Sequence, residues 1–212
     1  MGKFTESRRE VLVRALDQIG FGALISHEDG EFYATNLPLQ IVKGAGEQFV
    51  LRCHLAASNP HLSALREGSS VLVVCQGPNV YVSPSWYETK RKTGAVVPTW
   101  DYIAVQVRGS VTLQSKEQLL EHVSALTDRF ESNADAPWAV DDAPREYIEA
   151  QLSGIVGVEI RPTRVDGTWK ISQNRSVADR EGVIAGLRRR GEPDDEALAT
   201  LVEETLAEPE RD

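Results

Sequence analysis

The sequence predicts an α+β protein, mainly antiparallel, with helices at its periphery and a helical C-terminal tail. Three observations carry that reading. β-prone runs crowd the first half of the chain, joined by Asp-Gly, Gly and Pro turn signals. One long segment, Asp101 to Thr112 (DYIAVQVRGSVT), alternates apolar and polar positions as a half-buried strand does, with a bend at Gly109. Two capping-box patterns, at Ser7 to Glu10 and Ser115 to Gln118, stand directly before helical apolar stripes.

In chain order, Val11, Leu12, Leu16 and Ile19 share one helical stripe that Gly20 ends, and this helix is expected to lie as a lid on the sheet. FGALISH and EFYATNL form a hairpin around Glu28-Asp29-Gly30, where Asp-Gly supplies the positive-φ turn. Strands follow at Phe49 to Ala56, Ser70 to Gln76 and Val80 to Ser83, with a short helix at Pro60 to Arg66. The Asp101 strand is placed to close a barrel. After the second capping box, Leu119, Leu120, Val123, Leu126, Thr127 and Phe130 continue an amphipathic helix. A loop from Asn133 to Pro144, a short helix from Pro144 to Leu152 and a strand from Ile155 to Val165 complete the main body. Helices near Val177 to Arg190 and Asp194 to Ala207 form the tail, and the acidic end after Glu203 is expected to fray. The division is thus a sheet domain over 1–175 and a helical tail over 176–212 packed on it.

With 212 residues, 41% hydrophobic and 26% charged, the chain can bury one substantial core and lacks the composition of disorder or of a membrane span. The N-terminus MGKFTESRRE has no apolar secretory segment, so a cytoplasmic location is expected. Cys53 and Cys75 lie inside apolar strand-like runs and read as small buried thiols. The net charge of -9 opposes a phosphate backbone, so direct DNA binding gains no support. His27 and His122 read as surface residues, and His54 with His61 has no metal-ligand spacing, so no metal site is expected. Ser83, Ser85 and Ser172 lack an activating arrangement for a nucleophile, and neither a GxGxxG nor a P-loop occurs.

The unusual segment is Gly77 to Tyr102, GPNVYVSPSWYETKRKTGAVVPTWDY, which packs three prolines, two tryptophans and three tyrosines into 26 residues. Each X-Pro holds the preceding residue extended, and the rings form a stiff wall suited to a planar apolar ligand or to a subunit interface. The residues alone do not separate these two uses. Lys90, Arg91 and Lys92 bring positive charge beside the wall.

GPNVYVSPSWY and VPTWDY resemble the two central motifs of the PaiB-type FMN-binding negative transcriptional regulators, whose usual forms are close to GPHAYISPSWY and VPTWNY. HLAASNP at His54 to Pro60 resembles the family's HLARANP block, KISQNR at Lys170 to Arg175 resembles its KLSQNR block, and Leu37-Pro38 precedes the longer strand as it does there. The resemblance spans about residues 4 to 190. That family is similar to the FMN-binding split β-barrels, which include pyridoxamine phosphate oxidase-like proteins and hold FMN at a dimer interface. The resemblance therefore implies a mainly antiparallel split β-barrel of the FMN-binding type, a homodimer with its ligand site near the interface, and FMN as the small planar ligand.

It carries a cofactor-binding role onto His54 and Asn59, onto Tyr81, Ser83, Trp86 and Tyr87, and onto Thr99 and Trp100. Lys170, Ser172, Gln173, Asn174 and Arg175 follow from the KISQNR block, and Lys90 is a further phosphate cation. Thr35 and Asn36 come from FYATN, which resembles the strand and turn beside the flavin in the split barrels. No catalytic residue is assigned. Two departures from the family stand out. Ala57 replaces an arginine that could pair with a phosphate, and Asp101 replaces an asparagine, putting an acceptor-only anion where an amide both donates and accepts. The implied role is a negative transcriptional regulator or flavin-dependent sensor, acting on DNA indirectly. The alternative is a flavin-dependent oxidoreductase acting on a small molecule, with Tyr81, Trp86, Tyr87 and Trp100 shaping its pocket and Asp101 or His54 exchanging protons. The two departures also leave open another planar ligand, such as haem.

Overall fold

The structure, a computed structural model, describes residues 2–44 and 48–207. Its strands are β1 (Thr5–Glu6), β2 (Phe21–Glu28), β3 (Glu31–Pro38), β4 (Gln40–Lys43), β5 (Phe49–Ala56), β6 (Ser70–Val82), β7 (Thr99–Leu113) and β8 (Ile155–Lys170). Its helices are α1 (Arg9–Ile19), α2 (Glu88–Thr93), α3 (Lys116–Glu131), α4 (Arg145–Ser153), α5 (Val177–Arg190) and α6 (Asp195–Ala207), with short 3₁₀ turns at Pro60–Ala64, Pro84–Trp86 and Val140–Asp142. The eight strands form one sheet in the order β3-β2-β6-β7-β8-β5-β4, with β1 paired to β8. The β1–β8, β2–β3, β2–β6, β4–β5 and β5–β8 ladders are antiparallel. This is the expected α+β, mainly antiparallel arrangement. The sheet is open, because the path ends at β3 and β4 and no ladder joins them among the described residues. The Asp101 strand does not close a barrel: as β7 it lies inside the path, between β6 and β8.

The backbone gathers into two compact units: one of the residues up to Ser7, Gln76–Val105 and Asp166 onward, the other of Arg8–Cys75 and Gln106–Val165. The second unit is built on strand alternation. In β5, Phe49, Leu51, Cys53 and Leu55 are buried while Val50, Arg52 and His54 are half-buried, as period-2 geometry requires. Helix α1 buries Leu12, Ala15 and Leu16, and Gly20 at φ 58 ends it by donating its N–H to the Leu16 carbonyl. The helix begins one residue later than the expected capping box at Ser7 to Glu10 places it, with Arg8 at the N-cap and no capping bond from the Arg8 side chain. At α3 the box is complete: Ser115 Oγ accepts from the Gln118 N–H at 3.3 Å, and Gln118 Oε1 accepts from the Ser115 N–H at 2.9 Å. The β2–β3 hairpin turns on Asp29 at φ 50 and Gly30 at φ 88.

The first unit holds the far parts of the long strands with β1, α2, α5 and α6. Its core includes Val80, Val82, Tyr87, Ile103, Val105, Trp169 and Ile171, and the two tail helices contribute Val183, Leu187, Leu198 and Val202. Each such side chain, fully buried, contributes about 1.5–3 kcal/mol relative to exposure. Several boundaries differ from expectation, and β1 and β4 are strands that the sequence pattern did not place. Ser70–Gln76 and Val80–Ser83 are one strand, since Pro78 removes a donor but not the extended backbone. β8 runs on to Lys170, and the basic stretch after Tyr87 winds into α2, capped by Gly94 at φ 69. Of the acidic end, α6 continues through Ala207, and the remainder lies outside the described residues.

Candidate functional site

Where β7 begins in the first unit, alternation sends neighbouring side chains to opposite faces: Trp100 is 52% exposed and Asp101 only 1%. Tyr81, 43% exposed on β6, meets Trp100 edge to face, with ring centroids 6.4 Å apart at 65°. Trp100 is nevertheless fixed. Its Nε1 donates to Asn79 Oδ1 at 3.3 Å, and its carbonyl accepts from Lys170 Nζ, which also donates to Thr99 Oγ1. Both rings stay open to solvent while the Trp100 indole is hydrogen-bonded in place, which makes them a candidate binding face.

Behind this wall, Asp101 accepts from Ser172 Oγ and lies 3.5 Å from Lys170 Nζ. Burial pushes its carboxyl above the usual range, while the Ser172 hydrogen bond and the Lys170 charge oppose the shift. Asp101 therefore faces Ser172, not solvent. Ser172 holds its hydroxyl there from a left-handed backbone at φ 59, a conformation rare outside glycine. Tyr87 is buried, its Oη has no hydrogen-bond partner among the described residues, and Arg175 lies 4.7 Å over its ring.

The remaining candidates of this unit are spread around the wall. Ser83 caps the Pro84 turn and bonds Ser85 Oγ at 2.7 Å. Gln173 folds onto its own segment, accepting from the Ile171 N–H and donating to the Trp169 carbonyl. Asn174 is exposed, as is Lys90 on α2. The four aromatic side chains that the sequence treats alike are thus divided. Tyr81 and Trp100 face outward; Tyr87 is core, and Trp86 is half-buried.

In the second unit the candidates form two clusters. Thr35 Oγ1 accepts from Asn59 Nδ2 at 3.3 Å and bonds His61 Nδ1 at 2.9 Å, while His61 Nε2 bonds Ser26 Oγ at 2.9 Å and Tyr33 stacks on the imidazole at 5.7 Å. Asn36, the next residue but one before Pro38, is exposed. His54 belongs to the other cluster: its Nδ1 lies 3.2 Å from His122 Nε2, and His122 Nδ1 lies 2.9 Å from Gln40 Oε1. His122 is fully buried, not a surface residue, and burial, with the neighbouring His54 and Arg52 adding to it, brings its pKa down to about 4. Burial also raises the free thiols of Cys53 and Cys75 to about 12, which makes them inert. Among the described residues, no group of three or more His, Cys, Asp or Glu is placed to hold a metal ion. Nor is any helix among them long and apolar enough to cross a membrane.

The sequence missed Asn79, which orients the exposed indole, and His61, which ties Thr35 to Ser26. Asn79 stands inside GPNVYV and His61 directly after HLAASNP, so their position was the available signal.

A flavin ring needs a flat apolar face with a few polar contacts, and its phosphate needs cations or convergent N–H donors. The first unit supplies the flat, hydrogen-bonded Trp100 indole with Tyr81 edge-on beside it, the Lys170 ammonium and the exposed Lys90, so its residues fit such a group. The fold is one that flavin-binding proteins use: a FAD and heme binding protein of Mycobacterium smegmatis aligns with a TM-score of 0.57 at 19% identity, covering 79% of this chain and 74% of that one. A conserved hypothetical protein of Mycobacterium tuberculosis also gives 0.57, at 13% identity over 83% of this chain and 92% of its own. In sequence, residues 2–164 match the family described as "Putative FMN-binding domain". Across 203 residues the chain is 31% identical to protease synthase and sporulation protein PAI 2 of Bacillus subtilis, covering 96% of this chain and 95% of that protein. The chain belongs to this PaiB-type FMN-binding family, and FMN is the family's cofactor.

Proposed function

We propose that this protein is a flavin-responsive sensor: FMN lies with its ring against Trp100 and Tyr81, and its redox state acts on a regulatory partner. The observation that carries the reading is the outward Trp100 indole, oriented by Asn79, with the Tyr81 ring edge-on beside it. Bound FMN supplies reversible electron and hydride uptake. The chain's own residues supply placement. Trp100 offers the flat face with Tyr81 edge-on beside it, Asn79 keeps the indole from turning, Lys170 holds the Trp100 backbone carbonyl, and Lys90 offers charge to the phosphate in a protein whose HLAASNP block has lost its arginine at Ala57. A net charge of -9 supports an indirect effect on transcription, through a protein partner of the flavin-loaded homodimer, over direct reading of DNA. In the Bacillus relative, the name itself ties that protein to protease synthesis and sporulation.

The exposure of the same wall also favours a second reading, an oxidoreductase in which a small substrate approaches the flavin from solvent. One measurement tests the wall, and a second separates these possibilities. Trp100→Ala is expected to raise the dissociation constant for FMN at least tenfold, consistent with roughly 1–2 kcal/mol or more from one large ring contact, while leaving the melting temperature within a few degrees. A change below twofold would remove the wall from the site. The loaded protein is expected to oxidise NADH and NADPH no faster than free FMN, whereas sustained turnover well above that background would establish the oxidoreductase.

A further inference from the structure

The match to the FMN-binding domain ends at residue 164, and the segment beyond it grips the aromatic segment from Asn79 to Thr89 residue by residue. Arg175 covers the Tyr87 ring at 4.7 Å. Asp179 accepts from the Thr89 N–H at 2.8 Å and from Thr89 Oγ1 at 2.7 Å. Gly182 and Gly186 make room for Trp86: a Cβ at the first would run into the Trp86 carbonyl, and one at the second into its indole. Arg190 lies 5.2 Å over the same indole and donates to the Tyr81 carbonyl at 3.0 Å. Asp194 accepts from the Asn79 N–H at 3.0 Å and from Asn79 Nδ2 at 3.3 Å.

Spacings of three and four residues put Asp179, Gly182, Gly186 and Arg190 on one face of α5. Simple packing would make that face apolar. Instead it carries two glycines, a carboxylate and a guanidinium, each directed at a particular atom or ring of the segment from Tyr81 to Thr89. Arg190 is itself fixed by a two-pronged pairing with the fully buried Asp195, and its guanidinium holds the Asp195 carboxyl below the usual range.

Asn79 explains how the grip reaches the ligand face. A side-chain amide can turn over, exchanging its donor and acceptor ends. Here one neighbour, Asp194, only accepts and the other, the Trp100 indole, only donates, so the amide has one orientation that satisfies both. Trp100 is therefore set by a residue it does not touch.

We infer that α5 and the residues leading into α6 are the positioning element of the ligand wall, with Asp194 setting Trp100 through Asn79 and Arg190 setting Tyr81. The inference rests on the proposed function in that the wall is taken to face the flavin ring.

The test uses the full chain carrying Asp194→Ala, with Asp194→Asn as the conservative partner that keeps an acceptor, both checked for unchanged circular dichroism. Amide hydrogen exchange is followed without flavin, and FMN affinity is measured separately. Asp194→Ala is expected to raise exchange across residues 79–102 at least fivefold while residues 49–56 of β5 stay unchanged, to weaken FMN five- to tenfold and to shift the visible spectrum of the bound flavin. Asp194→Asn is expected to recover at least half of the lost affinity on a logarithmic axis. Unchanged exchange over 79–102, or FMN affinity within twofold of the unmodified chain, would overturn the inference. If the unmodified chain binds no FMN, the proposed function fails, and the exchange result alone then decides the positioning role.

Discussion

His122 is an imidazole with no access to water, bonded between His54 and Gln40. Folded, it titrates at about 4; in the unfolded chain the ordinary value is near 6.5. The unfolded chain therefore takes up the proton first as pH falls. Stability is full above about pH 6.5 and is lost progressively as pH drops toward 4, by a total on the order of 2–3 kcal/mol for this one group. Urea unfolding at several pH values between 7 and 4.5 should show that slope, and His122→Gln, which can still donate to Gln40, should flatten it. Equal slopes in the two proteins would contradict the assignment. The pair also shows what single residues concealed. His54 and Asn59 stand in one sequence block, but strand β5 turns His54 toward α3 while Asn59 caps the following turn and bonds Thr35. Neighbours in sequence thus serve separate clusters, and His122 reads as a surface residue because nothing near it in the chain announces its distant partners.

Helix α3 is the element in which a sequence pattern was realised most fully, both halves of the Ser115–Gln118 box being present. Ser115→Ala removes the acceptor for the Gln118 N–H and is expected to cost about 1 kcal/mol, read as a lowered urea midpoint with an unchanged slope. No change would mean that solvent serves that N–H equally well. The same pattern at Ser7 puts the N-cap one residue too early, since α1 starts at Arg9 with Arg8 as its N-cap, so an identical spacing does not by itself place a helix start. Strands were legible wherever alternation ran unbroken, as in Asp101 to Thr112, and were divided wrongly where Pro78 looked like a break. The grip of α5 on the aromatic segment left almost no local trace. Gly182 and Gly186 signal a close approach on one helix face, but only the fold shows that Trp86 makes it. Trp86 and Trp100 are equivalent as letters, and long-range contacts make one a packing residue and the other a surface.

For the molecule as a whole, composition marked a soluble-type folded chain, the aromatic segment marked the family, and the open antiparallel sheet agrees with the fold of flavin-binding proteins. The departures at Ala57 and Asp101 have different weights. Asp101 is absorbed by the core, where Ser172 and Lys170 answer its charge. Ala57 is exposed and brings no cation of its own, so the proposed site takes its phosphate charge from lysines elsewhere in the chain. The decisive experiment is a titration of the purified full-length protein with FMN at fixed ionic strength, following tryptophan fluorescence and flavin absorption together. Saturable binding at one FMN per chain, with quenching of the tryptophan emission and a structured, shifted flavin spectrum, is the predicted result. Linear, unsaturable signals at FMN concentrations up to the millimolar range, with the flavin spectrum unchanged from that in buffer, would contradict it.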